Sequence, residues 1–327
     1  RDNIFKKEIK IKNNRSYFNK IFSLINYFSK SDNIFFINPY LKKSELIKLQ
    51  IKLKQIPQYY EDEELHLNSE YNEKFRNWKI LNSEDNQFKK ILKHMILKFM
   101  PICHLEGYKE LIMKVNKSNW PKNPKIIFTS SSHIHNDKFK LWCAEKVENK
   151  TKLIIGQHGG GLTTSLFSSH FDHELNVADK YLAWGKENFN IKKIVSFFNF
   201  KMIGRDKNLK KKNTKKVLII LNSYSQYSYA LKGSIISSQY SNYLQNIFEI
   251  IKAISINKKI EFKLRLHKED YDWYTYDRIK EKFSDVEIDK GENDCLEEMK
   301  ESSLCISTTN TTTYLESLYL NIPTLIY

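Results

Sequence analysis

The run TKLIIGQHGGG (151–161) constrains the chain most: an apolar β-type segment stops abruptly in three successive glycines. Only nine glycines occur in 327 residues, so spending three in a row is costly in backbone entropy and exceeds what a plain turn needs. Upstream, PKIIFTSS (124–131) reads as a strand and NDKFKLWCAEKVEN (136–149) as a helix, with Asn136 or Asp137 as its N-cap. DKYLAWG (179–185) follows as a further short strand. Strand, helix, strand at this spacing is a βαβ unit, which implies a parallel sheet with loops at the carboxyl ends of its strands.

The rest of the chain repeats the theme. KKVLIILNS (215–223) has the continuous apolar character of a buried strand, and a helix is expected over roughly 240–256. Strands at 259–267, 285–288 and 303–308 then alternate with helices near 275–283, 294–301 and 311–321, before IPTLIY opens a last strand. The expected fold is therefore α/β, with two Rossmann-like, doubly wound domains facing a cleft. Residues 1–205 form the first, helical over 1–122 and Rossmann-like over 123–205; 206–214 is a linker, and 215–327 forms the second. Arg1 and the terminal β-type run NIPTLIY suggest a piece of a longer protein.

The segment NQFKKILKHMILKFM (86–100) places Phe88, Ile91, Leu92, Met95, Ile96 and Phe99 on one helical stripe, with lysines mostly off it. Packing of that stripe on its own domain is the favoured expectation, and contact with an anionic membrane the alternative. A net charge of +16 favours anionic partners. A nucleic-acid-binding protein would show a basic stripe with interleaved aromatics. The lysines are instead dispersed, so no nucleic-acid partner is expected. Four cysteines without a CxxC pair fit neither a zinc site nor a disulfide framework and imply a reducing compartment. No apolar run reaches the roughly 18 residues of a membrane span. The expected location is cytoplasmic, with peripheral contact at the inner membrane face.

Four clusters carry the chemistry. In GQHGGGLTT (156–164), Gly159, Gly160 and Gly161 let the backbone approach a ligand, and Gln157 and His158 add a neutral hydrogen-bonding group and a proton carrier at the same lip. An HGGG oxyanion loop of the esterase kind needs a GxSxG elbow, and the sequence holds neither that nor a GxxxxGK[ST] or GxGxxG phosphate loop. In RLHKED (265–270), Arg265, His267 and Lys268 gather cationic or proton-donating groups at a strand end, suited to a leaving phosphate. In STTNTTTYLE (307–316), Thr308, Thr309, Thr311 and Thr312 lead into a helix amino terminus and form a neutral phosphate cradle, with Glu316 in reach of a ribose. Asp137, Asp172 and Glu174 are acids of the first domain, of which Asp137 and Glu174 join His158 as candidates for the general base. The HFDHE run (170–174) lacks a metal-ligand frame, so no metal is expected.

The order TSSS, DKFKLWCAEKV, LIIGQHGGG, DKYLAWG, RLHKEDYDW and STTNTTTYLESLYLNIPTLIY resembles, over 125–327, a family of bacterial transferases assigned to surface-polysaccharide synthesis. Those proteins carry a Gln-His-Gly-Gly loop and an Asn-Ile-Pro-Thr ending. The C-terminal half is also similar to the donor half of GT-B glycosyltransferases. His267 with Lys268 sits where sialyl and Kdo transferases have a His-Pro motif, and Ser307–Thr309 or Thr311–Thr313 where they have a Ser/Thr motif. In those enzymes both motifs hold the CMP phosphate. This chain departs from them by Lys268 in place of proline and by lacking their acidic base motif. The resemblance implies a metal-independent glycosyltransferase. It would take a nucleotide sugar, CMP-linked by that likeness, as substrate rather than cofactor, and a glycan or lipid-linked acceptor. A polyol-phosphate transferase or sugar-nucleotide epimerase of similar fold is the alternative.

Overall fold

A computed structural model describes residues 33–60, 65–78, 86–161, 168–185, 191–205, 215–227, 235–257 and 259–327. The expected linker at 206–214 lies outside them. The chain divides into two compact units, Arg1–Ile154 and Ile155–Tyr327.

In the first unit, strand β1 (Ile34–Ile37) is followed by helices α1 (Lys43–Lys52), α2 (Gln87–Phe99) and α3 (Tyr108–Asn116). Strand β2 (Ile126–Thr129), helices α4 (Ser132–His135) and α5 (Asp137–Glu148), and the start of strand β3 (Lys152–Gly156) complete it. β1 pairs in parallel with β2, Ile34 opposite Ile126. It lies in the stretch whose periodicity reads as helical, because IFFI is apolar at every position and too short to display a period. Asn136 caps α5 as expected, its side chain accepting from the Phe139 amide at 2.8 Å. Phe35 anchors an aromatic core, with ring centroids 4.7 Å from Tyr60 and 4.8 Å from Trp142.

The second unit continues with helix α6 (Ser169–Val177), strands β4 (Lys180–Trp184), β5 (Ile194–Phe197) and β6 (Lys216–Ile220), then helix α7 (Ser237–Ser255). Strand β7 (Glu261–Arg265), helix α8 (Thr275–Lys282), strand β8 (Glu287–Asp289) and helix α9 (Cys295–Lys300) follow. Strand β9 (Leu304–Ser307), helix α10 (Thr312–Tyr319) and strand β10 (Thr324–Ile326) end the chain.

The strands form two five-stranded sheets, ordered β1-β2-β3-β4-β5 and β10-β9-β6-β7-β8. In the second sheet every pairing is parallel. Numbered by appearance, its strands run 3-2-1-4-5 from β8 to β10, the doubly wound order in which the winding direction reverses between β6 and β9. Alternation along β6 explains how both faces are covered. Val217, Ile219 and Leu221 join Leu244, Ile247 and Ile251 of α7 on one side. Leu218 and Ile220 meet Met299 and Leu320 on the other. A strand buried on both faces needs the unbroken apolar run that KVLII supplies.

Candidate functional site

A doubly wound sheet offers its ligand crevice at the carboxyl ends of the two strands flanking the switch point, here β6 and β9. The residues that leave those ends are Asn222 and Ser223 after β6 and Thr308 to Thr311 after β9. They are joined by a buried relay. The Asn222 amide donates to the Tyr243 hydroxyl at 3.0 Å, that hydroxyl lies 2.6 Å from Thr308 Oγ1, and Thr308 Oγ1 donates to the Ile220 carbonyl at 2.9 Å. Burial pushes the Tyr243 hydroxyl up to about 12, so at neutral pH it stays a proton donor. Thr308 thus ties the end of β9 to the end of β6 and to α7. Asn222, Ser223 and Tyr243 were missed by sequence reasoning, although LNS at the end of a strand run was the available signal.

Past Thr308 the hydroxyls change role. The Thr309 side chain has no hydrogen-bond partner among the described residues. Thr311 Oγ1 and Thr313 Oγ1 lie 2.8 Å apart. Thr311 stands at the N-cap of α10 but makes no side-chain cap bond, so the first-turn amides of α10 are not closed by it. Thr312 Oγ1 accepts from the Gly160 amide at 3.3 Å.

That last bond brings the glycine loop to the amino terminus of α10. A Cβ on Gly160 would lie 3.1 Å from Leu315 Cδ1 and 3.3 Å from the Thr311 carbonyl oxygen. Close approach is therefore the reason for glycine here. Positive φ is not, since Gly159, Gly160 and Gly161 all avoid the left-handed region. Gln157 is buried and clamps the same loop, donating to the Gly159 carbonyl at 2.7 Å and accepting from the Trp184 amide at 2.7 Å. The residues beyond Gly161, Leu162 to Phe167, lie outside the described ones.

His158 follows directly on this clamp. Its Nδ1 stands 3.5 Å from Oε1 of Glu174, a carboxylate on α6 with no solvent exposure. The ring also meets His170 edge-on, with centroids 6.4 Å apart. Burial, with the Glu174 charge beside it, drives the Tyr181 hydroxyl far above its usual range, so it stays protonated. At this distance the buried carboxylate is a charged neighbour of the ring rather than a hydrogen-bond partner that fixes its tautomer. Asp172 lies on the first turn of the same helix, α6.

The third cluster sits at the end of β7. His267 Nδ1 is engaged by the backbone of Glu269, whose amide and carbonyl each lie 3.1 Å away, and its ring stacks at 18° on Tyr271. Nε2 is left to reach a ligand. Lys268 is exposed and forms no ion pair among the described residues. The loop that follows is tightly built: Tyr271, Asp272 and Tyr274 all adopt positive φ. Asp270 accepts from the Tyr274 and Thr275 amides, and Trp273 stacks 3.9 Å from Tyr240. Side chains held at positive φ carry strain that a surrounding structure must over-determine.

Arg265 is committed internally. It pairs with Asp289 and with Glu298 at 2.8 Å, and donates to the Asn293 carbonyl at 2.8 Å. It thereby ties down the turn containing Gly291, whose φ is +84° and whose absent Cβ would stand 2.6 Å from the Lys268 amide nitrogen. Glu316 is likewise buried and paired with Lys201 at 2.5 Å.

In the first unit, Asp137 opens α5. Its carboxylate meets Lys140 at 3.0 Å, His104 at 3.4 Å and Cys103 at 3.5 Å. Among the described residues, donor atoms of Cys103, His104 and Asp137 all lie within 4.8 Å of one another. The Lys140 ammonium already supplies a cation there. Burial pushes the Cys103 thiol up to about 11, away from the thiolate a metal needs.

Two five-stranded sheets flanked by helices, the second in doubly wound order, define an α/β protein of the Rossmann-like class. Among the described residues no helix is long and apolar enough to cross a membrane. No curated protein matches the chain. The chain belongs to the LIC12162 family of transferases, whose family model matches residues 1–327.

Proposed function

We propose that this transferase is a glycosyltransferase of GT-B type that moves a sugar from a nucleotide-activated donor to a surface-polysaccharide or lipid-linked acceptor. The observation that carries the reading is the Gly160–Thr312 bond, which sets His158 and the glycine loop beside the hydroxyl-rich start of α10. One group able to take a proton and one cradle able to take a phosphate thereby share one neighbourhood.

The reaction makes a bond from the acceptor oxygen to the anomeric carbon and breaks the bond from that carbon to the donor phosphate, which departs with the electron pair. His158 removes the acceptor proton, and Glu174 stabilises the imidazolium that results. The leaving phosphate settles against the α10 amides, Thr309 and Thr311, with Nε2 of His267 and the Lys268 ammonium supplying donors. In this reading Arg265, Thr308, Gln157 and Glu316 shape the site from behind, because their polar atoms are engaged within the protein. The resemblance of the His267 and threonine motifs to those of CMP-sugar transferases makes CMP the first nucleotide to try.

Calorimetry with CMP, UDP, GDP and ADP tests the donor half of this reading. Binding of one nucleotide, lost in His267→Ala with the melting temperature unchanged, is expected. A folded protein that binds none of the four contradicts it.

A further inference from the structure

Helix α2 carries its apolar stripe on the outside. Phe88, Ile91, Leu92, Met95, Ile96 and Phe99 are all exposed, Phe88 by 69% and Phe99 by 67%, while Leu97 is the buried residue of the helix. At about 100° per residue, Leu97 falls roughly opposite the middle of that stripe. Among the described residues, therefore, the expectation that the stripe packs on its own domain is not met: the helix is seated by its opposite side.

What seats it is polar. Arg76, buried in the turn Glu73–Arg76, donates to the Leu97, Lys98 and Met100 carbonyls at 2.9–3.1 Å and so closes the carboxyl end of α2. Its other nitrogens hold Glu106 at 2.6 and 2.7 Å. This places exposed Phe75, in that turn, and Trp78, just after it and bonded to the Phe75 carbonyl, towards the end of α2 that carries Phe99. A helix pinned so firmly, with its apolar side turned to water, has a use for that side.

The charge pattern names the occupant. α2 contains no acidic residue, and Lys89 and Lys98 flank the stripe on its two edges, where long stems lie along apolar surface while their ammonium groups reach outward. A second protein would be matched by paired charges or a contoured groove. A convex apolar stripe edged by lysines, with a tryptophan and phenylalanines at one end, fits the interface of an anionic bilayer. We infer that α2, with the Phe75–Trp78 turn, is a docking surface for anionic membrane lipid. The inference stands apart from the sugar-transfer reading, since it involves neither nucleotide nor His158.

Co-sedimentation of the full chain with phosphatidylcholine vesicles, with and without phosphatidylglycerol, tests it. The protein is expected to pellet with the anionic vesicles at low salt and to be released at high salt. Replacing Phe88, Leu92 and Phe99 together by serine is expected to cut the bound fraction about tenfold or more with the melting temperature unchanged, as these positions are solvent-facing. Lys89→Gln with Lys98→Gln is expected to weaken binding at low salt about tenfold. A wild-type protein that stays in the supernatant with anionic vesicles overturns the proposal, as does a triple-serine variant that still pellets. A stripe-dependent dimer by ultracentrifugation, without vesicle binding, also overturns it and makes the face an interface between copies.

Discussion

The imidazole Nδ1 of His158 stands 3.5 Å from Oε1 of Glu174, and no part of that carboxylate's residue reaches solvent. The pair follows from local sequence: Gln157 clamps the loop that carries His158, and α6 points its one buried residue, Glu174, at it. In the proposed reaction this histidine takes the acceptor proton, with the Glu174 charge beside it. His158→Ala is expected to lower turnover by about 10²–10⁴-fold with little change in nucleotide binding. Glu174→Gln keeps the shape and is expected to cost turnover less and to move the pH–rate profile. Steady-state kinetics across pH checks both, and an unchanged profile in Glu174→Gln removes the role assigned to it.

A Cβ at Gly160 would press on Leu315 Cδ1 at 3.1 Å and on the Thr311 carbonyl oxygen at 3.3 Å, so these neighbours would have to give by a few tenths of an ångström. Gly160→Ala is expected to displace the start of α10 and to weaken nucleotide binding about tenfold or more, whereas Gly185→Ala, where nothing crowds the added methyl, serves as the contrast. The φ of +98° at Gly185 still costs stability, so the two variants separate backbone strain from loss of the site. Equal nucleotide affinity in both would contradict the account of Gly160.

Arg265 braces the His267 loop through Asp289, Asn293 and Gly291. Arg265→Leu leaves the buried Asp289 carboxylate without its cation, while Glu298 keeps Lys263 at 2.6 Å, and is expected to cost about 3 kcal/mol. Gly291→Ala forces a side chain into φ of +84° and against the Lys268 amide, with an expected cost of about 1–3 kcal/mol and weaker nucleotide binding. Denaturant melts and calorimetry read the two effects. Full stability in Gly291→Ala would show that the turn yields easily.

Hydrogen bonds from Arg76 hold Glu106 down to about 2, from an ordinary value of 4.5. A carboxyl lowered in the folded state contributes stability that is present above its unfolded value and is lost as pH falls through that value towards the folded one. The melting temperature is therefore expected to drop between about pH 4.5 and pH 2, and Glu106→Gln to flatten that part of the curve. Circular dichroism melts over this range check it. A variant whose curve parallels the wild type would show that other carboxylates dominate acid unfolding.

Much of the second sheet was legible because β-type segments there alternate with helical ones at regular spacing: KVLII, EFKLR and LCIS each appear where that alternation puts a strand. β1 and β5 were not. Four-residue strands such as IFFI and IVSF carry no period, and their place is set by neighbours far along the chain. The candidate site divides in the same way. Residue type marked His158, His267 and the threonine run. Which hydroxyl faces a ligand and which holds the fold depends on contacts such as Thr308 with Tyr243, 65 residues away, and no local pattern reveals these. Arg265 is the plainest case, since a cation at a strand end reads as a phosphate ligand until Asp289 and Glu298 are found around it. Helix α2 shows the converse: its stripe is evident in sequence, but the side that packs is decided by Arg76 and Leu97.

The central claim is that a nucleotide-activated sugar is consumed at the site formed by His158, the α10 amino terminus and His267. Incubating the full-length protein with CMP-, UDP-, GDP- and ADP-linked sugars and a lipid-linked or glycan acceptor, and measuring free nucleotide released together with labelled sugar transferred, tests it most directly. The account predicts matched release and transfer from one donor class, both abolished in His158→Ala and in His267→Ala. Transfer that persists in both variants, or none from any donor by a folded wild-type protein, would contradict it.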